Sequence, residues 1–408
     1  MTTADERRRI GALLQTERRR RRWSKPEMAR RLASHVPDQC PDRETLISYI
    51  KRWEAGKVSI SERYQFAYAA AYDVDVEELF GQKKTTGPPN KSAAMDALDL
   101  PNSNGRPADM EYVANLRDTG QTLVRLDTVY GGNEAFPLAL RVFRDAHRKL
   151  AVGAYEPKVE RDLVAATGEI GEIAAWLAYD ADRQAESRQI ILEALMLSRQ
   201  AGDRHMELFE LTHMSMQAVH LGHPAEALRI ADGLLADQSL APRVTALFNI
   251  RRGRALAQLG HQNRAFDAID SARSAIADGI NERDPYWTWW VTETEITWHK
   301  GMAHAELGNW GAAVPLLHES VEGRTAYRRA LYNDRAHLLN ALVHVASWAD
   351  AERIIGDISG QVGEVGSSRT TNLLRRIVRR VPHAGAPSTV ADIAHDLQER
   401  LDARTALA

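Results

Sequence analysis

One short segment, residues 43–57, carries polar and basic side chains at spacings that place them on one side of a helix. Its apolar residues Leu46, Ile50 and Trp53 recur at intervals of four and three, which predicts a helix packed on that side. The other side then presents Arg43, Glu44, Thr45, Ser48, Tyr49, Lys51 and Arg52, with Lys57 beyond the helix end. Side chains of these types hydrogen-bond to base edges and to phosphates in DNA grooves. As a group they predict contact with double-stranded DNA, although each one alone also fits a solvated surface.

A second short helix is predicted directly before this one. Ser24 and Glu27 form a capping box, in which Ser24 accepts from the third helical amide and Glu27 reaches back to the cap amide. Lys25 lies in the same first turn and is added to the predicted DNA contacts. For the later helix, Asp42 is the expected N-cap and Gly56 the expected C-terminal cap. The two helices therefore form a pair of the kind that lays one helix in the major groove.

Charge separates the front of the chain from the rest. Residues 1–57 hold 15 Lys plus Arg against 8 Asp plus Glu, a net charge of +7, while the remainder holds 38 against 47, a net charge of −9. A concentrated positive charge is what phosphate binding requires. The run Arg18–Arg22 is interpreted as a phosphate contact; an exposed helix end and a localisation signal are the alternatives. Arg outnumbers Lys by 44 to 9, which disfavours the localisation signal and is typical of GC-rich bacteria.

Residues 10–81 resemble the Xre/Cro-type, lambda-repressor-like helix-turn-helix domain. The resemblance is carried by Trp23-Ser24, Met28–Leu32, Ile50, Trp53–Gly56 and the closing residues 73–81, DVDVEELFG. It implies that Ser48 and Arg52 lie closest to the base-reading positions and that Arg43 and Lys57 contact phosphates. Glu44 would accept a hydrogen bond from cytosine. One departure is that residues 33–41 separate the two motif helices, where the family usually has a turn of three or four residues.

The rest of the chain divides into three parts. Residues 82–106 are rich in Pro, Gly, Asn and Ser and are predicted to be a linker after the DNA-binding domain at 1–81. Residues 107–381 show helical patterns without strand alternation, and residues 382–408 are predicted to be a tail with a short capping helix. We expect an all-α protein in which a lambda-repressor-like helix-turn-helix domain precedes a tetratricopeptide-like α-solenoid.

A turn pattern recurs in the predicted solenoid. Successive copies begin 44, 38, 48 and 38 residues apart, at Leu177-Ala178-Tyr179, Leu221-Gly222-His223, Leu259-Gly260-His261, Leu307-Gly308-Asn309 and Val345-Ala346-Ser347. The pattern resembles the tetratricopeptide repeat, whose ideal period is shorter. Repeats of this kind leave a concave surface lined by the first helix of each pair.

That resemblance places eight residues toward the concave surface: Thr212, Met216, Arg254, Glu295, Trp298, Met302, Asn333 and Asn340. Asparagines and an arginine there could hold the backbone and carboxylate of an extended peptide, and Trp298 could supply an apolar wall. The other tryptophans between residues 287 and 310 are expected to be core.

A head and solenoid in this order resemble bacterial signal-receptor regulators. These include the peptide-sensing family of Rgg, PlcR and PrgX, and the actinobacterial regulators of development and antibiotic production, toward which the Arg- and Ala-rich composition leans. The resemblance implies a homodimer that binds DNA and a signalling peptide or a small molecule. The alternative is a repeat scaffold that binds a protein partner and uses its head for assembly.

Sequence motifs for catalysis are absent. No phosphate loop, zinc-protease motif, nucleophile elbow or close Cys–His pair occurs, so we expect no enzyme and no cofactor. Cys40 is the only cysteine, and His213, His220 and His223 fit surface positions better than a metal site. The charged N-terminus and the lack of a long apolar window predict a cytoplasmic protein without membrane contact.

Overall fold

The computed structural model describes residues 4–35, 43–57, 60, 62–72, 74, 79–80, 106–237, 239–279, 281, 283–323 and 328–405. They include two compact units, which we call the head (residues 4–80) and the body (residues 106–278 and 287–405). Over these described ranges both units consist of helices and contain no strand, which confirms the predicted all-α class. Apart from Arg106, the predicted linker lies outside the described residues.

Four helices make up the described part of the head: α1 (Ala4–Arg20), α2 (Lys25–His35), α3 (Arg43–Glu54) and α4 (Glu62–Tyr72). They enclose one apolar core, which includes Leu14, Met28, Ile50 and Tyr68. Asp42 and most of the closing residues 73–81 lie outside the described residues.

The C-terminus of α3 is held by a glycine turn and by close contact with α1. Gly56 has φ 66, its amide donates to the Trp53 carbonyl at 2.9 Å, and the Lys57 amide donates to the Arg52 carbonyl at 3.0 Å. These two bonds are the Schellman motif, and they confirm the predicted cap. A Cβ at Gly11 of α1 would lie 2.5 Å from the Trp53 carbonyl oxygen. Only glycine therefore lets α1 approach the end of α3 this closely.

The capping box of α2 is half formed. Ser24 Oγ accepts from the Glu27 amide at 3.2 Å, as predicted. Glu27 does not reach back to the cap; its carboxylate accepts from Arg30 and Arg31, each at 2.8 Å. Two guanidinium groups offer this carboxylate stronger, charge-assisted bonds than one amide does.

The body is a series of helical hairpins. Its helices are α5 (Met110–Tyr130), α6 (Gly132–Ala151), α7 (Glu160–Asp180), α8 (Gln184–Ala201), α9 (Arg204–His220), α10 (Pro224–Leu235), α11 (Pro242–Gln258), α12 (Gln262–Ala275), α13 (Glu293–Glu306), α14 (Trp310–Gly323), α15 (Arg328–His344), α16 (Trp348–Ser359), α17 (Ser368–Arg380) and α18 (Ser388–Thr405). Short 3₁₀ segments lie at Pro157–Val159, Tyr286–Trp290 and Pro382–Ala384.

The recurring turns share one backbone geometry. Gly222, Gly260, Gly308 and Ala346 have φ 73, 77, 77 and 56, and each turn closes with the same pair of backbone hydrogen bonds. The four later turns were thus located correctly. The prediction for residues 177–179 is wrong, because these residues lie inside α7 and the turn comes at Asp182, with φ 60.

The chain end is more extensively packed than predicted. Residues 388–405 form a full helix, α18, which buries Val390, Ala394, Leu397 and Leu401 in the same core as α15, α16 and α17. A tail with a short capping helix is therefore wrong for this segment. Together with α17, this helix forms one more hairpin.

None of the described helices is both long enough and apolar enough to cross a bilayer.

Because the turns share this geometry, we expect two substitutions to change the stability of the body in opposite directions. Gly222→Ala should lower the free energy of unfolding of the body by about 1 kcal/mol, because a side chain is strained at positive φ and nothing else lies within 4 Å of the new Cβ. Ala346→Gly should raise it by a similar amount, since the strain at φ 56 is removed. Urea unfolding of the two variants checks both signs; a destabilised Ala346→Gly variant would contradict them.

Candidate DNA interface and inner surface of the repeats

The rotation of α3 is set by its buried side. Leu46, Ile50 and Trp53 are at most 5% exposed, as predicted. The Trp53 ring packs against Tyr64 and Tyr68, with centroids 4.7 and 6.1 Å away. These contacts define which residues of α3 face outward.

The outward residues of α3 are those predicted from the sequence. Arg43, Glu44, Ser48, Tyr49, Lys51 and Arg52 are exposed, as is Lys57 beyond the helix. We call this set the outer face of α3. The side chain of Thr45 lies outside the described residues. Tyr49 also leans on Trp53, with ring centroids 5.6 Å apart, which limits its freedom to move.

An ion pair beneath the outer face joins α1 to α3. Arg18 Nε lies 2.5 Å from Glu54 Oε1, Arg18 Nη2 lies 2.8 Å from Glu54 Oε2, and Arg18 Nη1 donates to the Trp23 carbonyl at 2.7 Å. Both residues are 7% exposed. Lys25 Nζ lies 3.8 Å from the same carboxylate. Arg18 is thus structural, and Lys25 is half-buried beside Glu54.

The arginine run is therefore divided between two roles. Arg21 pairs with Glu17, donates to the Tyr72 carbonyl at 2.7 Å and stacks over the Tyr72 ring at 4.7 Å. Arg19, Arg20 and Arg22 remain exposed. The interpretation of the whole run as a phosphate contact is wrong for Arg18 and Arg21, whose guanidinium groups are held by the head itself. The exposed three remain candidates, and of these Arg20 also pairs with Glu17 at 3.1 Å.

These ion pairs determine which charges on the head surface are left unpaired. The carboxylates of Glu17, Glu27 and Glu54 are each within 3.1 Å of an arginine of the head. Among the described residues of the head, no ion pair involves the cations of the outer face, which are Arg43, Lys51, Arg52 and Lys57. The outer face of α3 is consequently positive.

In the body, the first helix of each hairpin contributes to one inner surface, and the last hairpins return to the first. Arg329 of α15 lies 3.1 Å from Asp127 of α5, and Arg369 of α17 lies 3.1 Å from Asp180 of α7. We call these two ion pairs the closure. Burial raises the pKa of Asp127, while Arg329 opposes the shift. The same arginines stack over aromatic rings of α7, Arg329 over Trp176 at 4.8 Å and Arg369 over Tyr179 at 4.9 Å.

A second polar cluster on the inner surface surrounds Arg254 of α11. Its guanidinium pairs with Glu306 at 2.6 Å, approaches His299 Nδ1 at 3.1 Å and lies 5.6 Å from the Trp298 ring. Burial lowers the pKa of His299 to about 3, so this imidazole is neutral. We assign its Nδ1 as the acceptor from Arg254, and its Nε2–H then donates to Glu295 Oε1 at 3.2 Å.

The predicted ligand residues lie in different surroundings. Arg254, Glu295, Trp298 and Asn333 lie in the polar clusters of the inner surface; the Asn333 amide accepts from Arg369 at 2.9 Å. Two predictions are wrong. Thr212 is fully buried, and its hydroxyl donates to the Phe209 carbonyl of the same helix at 2.8 Å, so it does not lie on the inner surface.

Met302 is the second wrong prediction, since its side chain belongs to the apolar core beside α14 and α15. Met216 lines a small cleft with Trp176, Tyr179 and Gln217. Asn340 is half-buried on α15.

Sequence reasoning missed His337, Arg369 and Arg376 of the inner surface and assigned His220 to an ordinary surface. Arg369 and Arg376 are seven residues apart on α17, so they share a helix face, and this spacing was the available signal. No metal cluster accompanies these side chains: the described residues contain no group of three His, Cys, Asp or Glu placed to hold an ion.

The buried ion pair of the head can be tested by truncation. Arg18→Ala should destabilise the head by about 3–5 kcal/mol, because it leaves the Glu54 carboxylate buried without its main partner. Hydrogen exchange of the α1 and α3 amides in the full chain measures the loss. Arg19→Ala, at an exposed neighbouring position, is the matched control and should change protection little; equal effects of both variants would refute the assignment.

The pH dependence of the body can be tested at Glu210. Its carboxyl is fully buried and accepts from Ser198 Oγ at 2.7 Å. Burial raises its pKa from 4.5 to about 9, so the folded state keeps a proton that the unfolded state has lost. The stability that this proton contributes is present below pH 4.5 and is lost as the pH rises toward 9.

Glu210→Gln, which stays neutral, should therefore gain stability relative to the native chain as pH rises, by about 3 kcal/mol at pH 7. Thermal unfolding between pH 5 and pH 8 measures the difference, with the exposed Glu319→Gln as control. A difference that does not grow with pH would show that Glu210 is charged in the folded protein.

Comparisons with known proteins give no family assignment. No family model matches the chain, and no curated protein matches it. Two similar solved structures are PlcR of Bacillus thuringiensis in complex with the peptide PapR7 and DNA, and the apo form of ComR from S. thermophilus. PlcR is 11% identical over 84% of this chain and 99% of its own, with a TM-score of 0.33. ComR is 14% identical over 78% and 93%, with a TM-score of 0.25. Neither likeness supports a conclusion about fold or function.

Proposed function

We propose that this protein is a sequence-specific regulator of transcription that binds double-stranded DNA through the outer face of α3. The observation that carries the proposal is the separation of charge on the head. Glu17, Glu27 and Glu54 are neutralised by arginines of the head, while the outer face exposes the four cations Arg43, Lys51, Arg52 and Lys57 and one acidic side chain, Glu44. A positive helix face of this kind suits phosphates and base edges together.

Within that face the residues have different proposed roles. Ser48 and Arg52 lie one helical turn apart, and Arg52 has the planar donor fork that pairs with guanine O6 and N7. Arg43 and Lys57 flank them at the two ends of α3 and would contact phosphates. Glu44 would accept from cytosine, and Thr45, Tyr49, Lys51 and Lys25 complete the proposed contact set. These assignments extend the Xre/Cro-type resemblance.

The body is proposed to dimerise the protein and to sense a peptide or small-molecule signal in the cytoplasm. Its inner surface supports this role, because it gathers arginine, histidine and tryptophan side chains from several helices around Trp298 and Arg254. A dimer would present two heads to two half-sites, which compensates for the few base contacts one small head makes.

The proposal predicts a specific loss of DNA binding. Arg52→Ala should cost about 1–3 kcal/mol of binding free energy at the preferred site and relax its sequence preference, because the base-reading guanidinium is removed. Arg264→Ala, at an exposed position of α12, is the control and should bind DNA as the native chain does. Titration of labelled duplexes at fixed salt measures both. If Arg52→Ala binds normally, the scaffold alternative, with a head used for assembly, becomes the better account.

A further inference from the structure

Two histidines of the inner-surface helices α9 and α15 pack against aromatic rings. The ring of His220 packs edge-on against Tyr179, with centroids 5.2 Å apart, and the ring of His337 packs edge-on against Trp298 at 5.7 Å. His220 is exposed to water and His337 is half-buried. Surrounding protein nevertheless lowers the pKa of His220 to about 4 and that of His337 well below its ordinary value. Both rings are therefore neutral at pH 7.

Arginines from two helices lie beside these rings. Arg254 of α11 is 5.6 Å from the Trp298 ring, and Arg369 of α17 is 4.9 Å from the Tyr179 ring. Arg376 follows Arg369 by seven residues on the same face of α17, and its charge also lowers the pKa of both histidines. Arg254 is ion-paired with Glu306, and Arg369 is ion-paired with Asp180. Arg376 is exposed and makes no ion pair with another residue of the described body. We call His220, His337, Trp298, Arg369 and Arg376 the lumen site.

The acidic groups near the lumen site are already engaged. Asp182 acts on His220 but accepts a hydrogen bond from Asn372 at 2.7 Å. Asp180 accepts from Arg369 and from Ser367 Oγ, the latter at 2.9 Å. Neither carboxylate forms an ion pair with Arg376.

Several buried donors around the lumen site lack an acceptor. Arg369 Nε and Trp298 Nε1 make no hydrogen bond with any described residue. Arg251 Nε, on α11, is in the same state, and Arg251 is only 3% exposed. Its Nη1 lies 3.5 Å from the same His299 that contacts Arg254. Buried donors are rarely left unpaired in folded proteins. These atoms are themselves closed to water, so a ligand rich in acceptors would reach them only through a local rearrangement of the site.

We propose that the lumen site binds its ligand through a carboxylate or a similar small oxyanion, with Arg376 and Arg369 as cationic partners and Trp298 as an apolar wall. The inference deepens the proposed sensing function and rests on it. An acidic small molecule and the C-terminal carboxylate of a peptide share this chemistry. Because Arg369 also holds Asp180 in the closure, an oxyanion bound there acts directly on the contact between α17 and α7.

The test measures binding of three defined probes to the full chain: citrate, N-acetyl-trialanine with a free carboxylate, and the same peptide with an amidated C-terminus. Thermal unfolding and calorimetry are run at constant ionic strength, with sodium chloride as the reference. We expect a saturable rise in Tm with citrate, with the free peptide or with both, and none with the amide. Citrate alone would indicate an acidic small molecule, and the free peptide alone would indicate a peptide terminus.

Two variants separate the site from general charge effects. Arg376→Gln should weaken the binding of the active probe at least tenfold, whereas Arg379→Gln, at another exposed position of α17, should leave it unchanged. No saturable response to any probe, or equal responses from the two variants, would overturn the inference. Specific DNA binding by the native chain is measured in parallel: its presence alongside failed probe binding overturns this inference alone, and its absence overturns the proposed function.

Discussion

The head depends on how the last turn of α3 is fastened. Trp53 packs among the tyrosines of α4, and the next residue, Glu54, is held by Arg18 from α1. Gly11 lets α1 come close enough for that pair to form, and Gly56 ends the helix immediately afterwards. Two neighbouring residues thus fix both the rotation and the position of α3. The direction of every side chain on the outer face follows from these contacts.

The body also depends on buried ion pairs, and these join residues much farther apart in the chain. In the closure, for example, Asp180 pairs with Arg369, which lies 189 residues later. A buried charge is costly unless it is paired and hydrogen-bonded. Arg369 meets this condition with a carboxylate, an amide and an aromatic ring. Such a closure ties the inner surface to the arrangement of the first and last hairpins.

Local patterns in the sequence predicted local structure well. The spacing of Leu46, Ile50 and Trp53 predicted the buried side of α3, because successive residues of a helix are separated by a fixed angle. Glycines at positive φ marked the turns at Gly222, Gly260 and Gly308, since few other residues adopt that conformation. The turn at Asp182 lacks glycine, and the prediction was placed too early for that reason.

Contacts between distant segments could not be predicted from the sequence. Arg18 and Arg19 are adjacent and chemically identical, yet only Arg18 is buried, because Glu54 lies on its side of α1. The closure and the lumen site depend on how hairpins stack over the whole body, which no single turn specifies. Thr212 and Met302 were misplaced for the same reason: the first helix of a hairpin has several packed sides, and the stacking decides which one faces inward.

The most direct test of the proposed regulator is capture of genomic DNA fragments by the purified full-length protein, followed by titration of the best fragment at several salt concentrations. A dimeric, sequence-specific regulator should recover one recurrent two-part sequence, bound well above competitor DNA, with an affinity that falls steeply as salt increases. Binding that never exceeds binding to competitor DNA would contradict the proposed function.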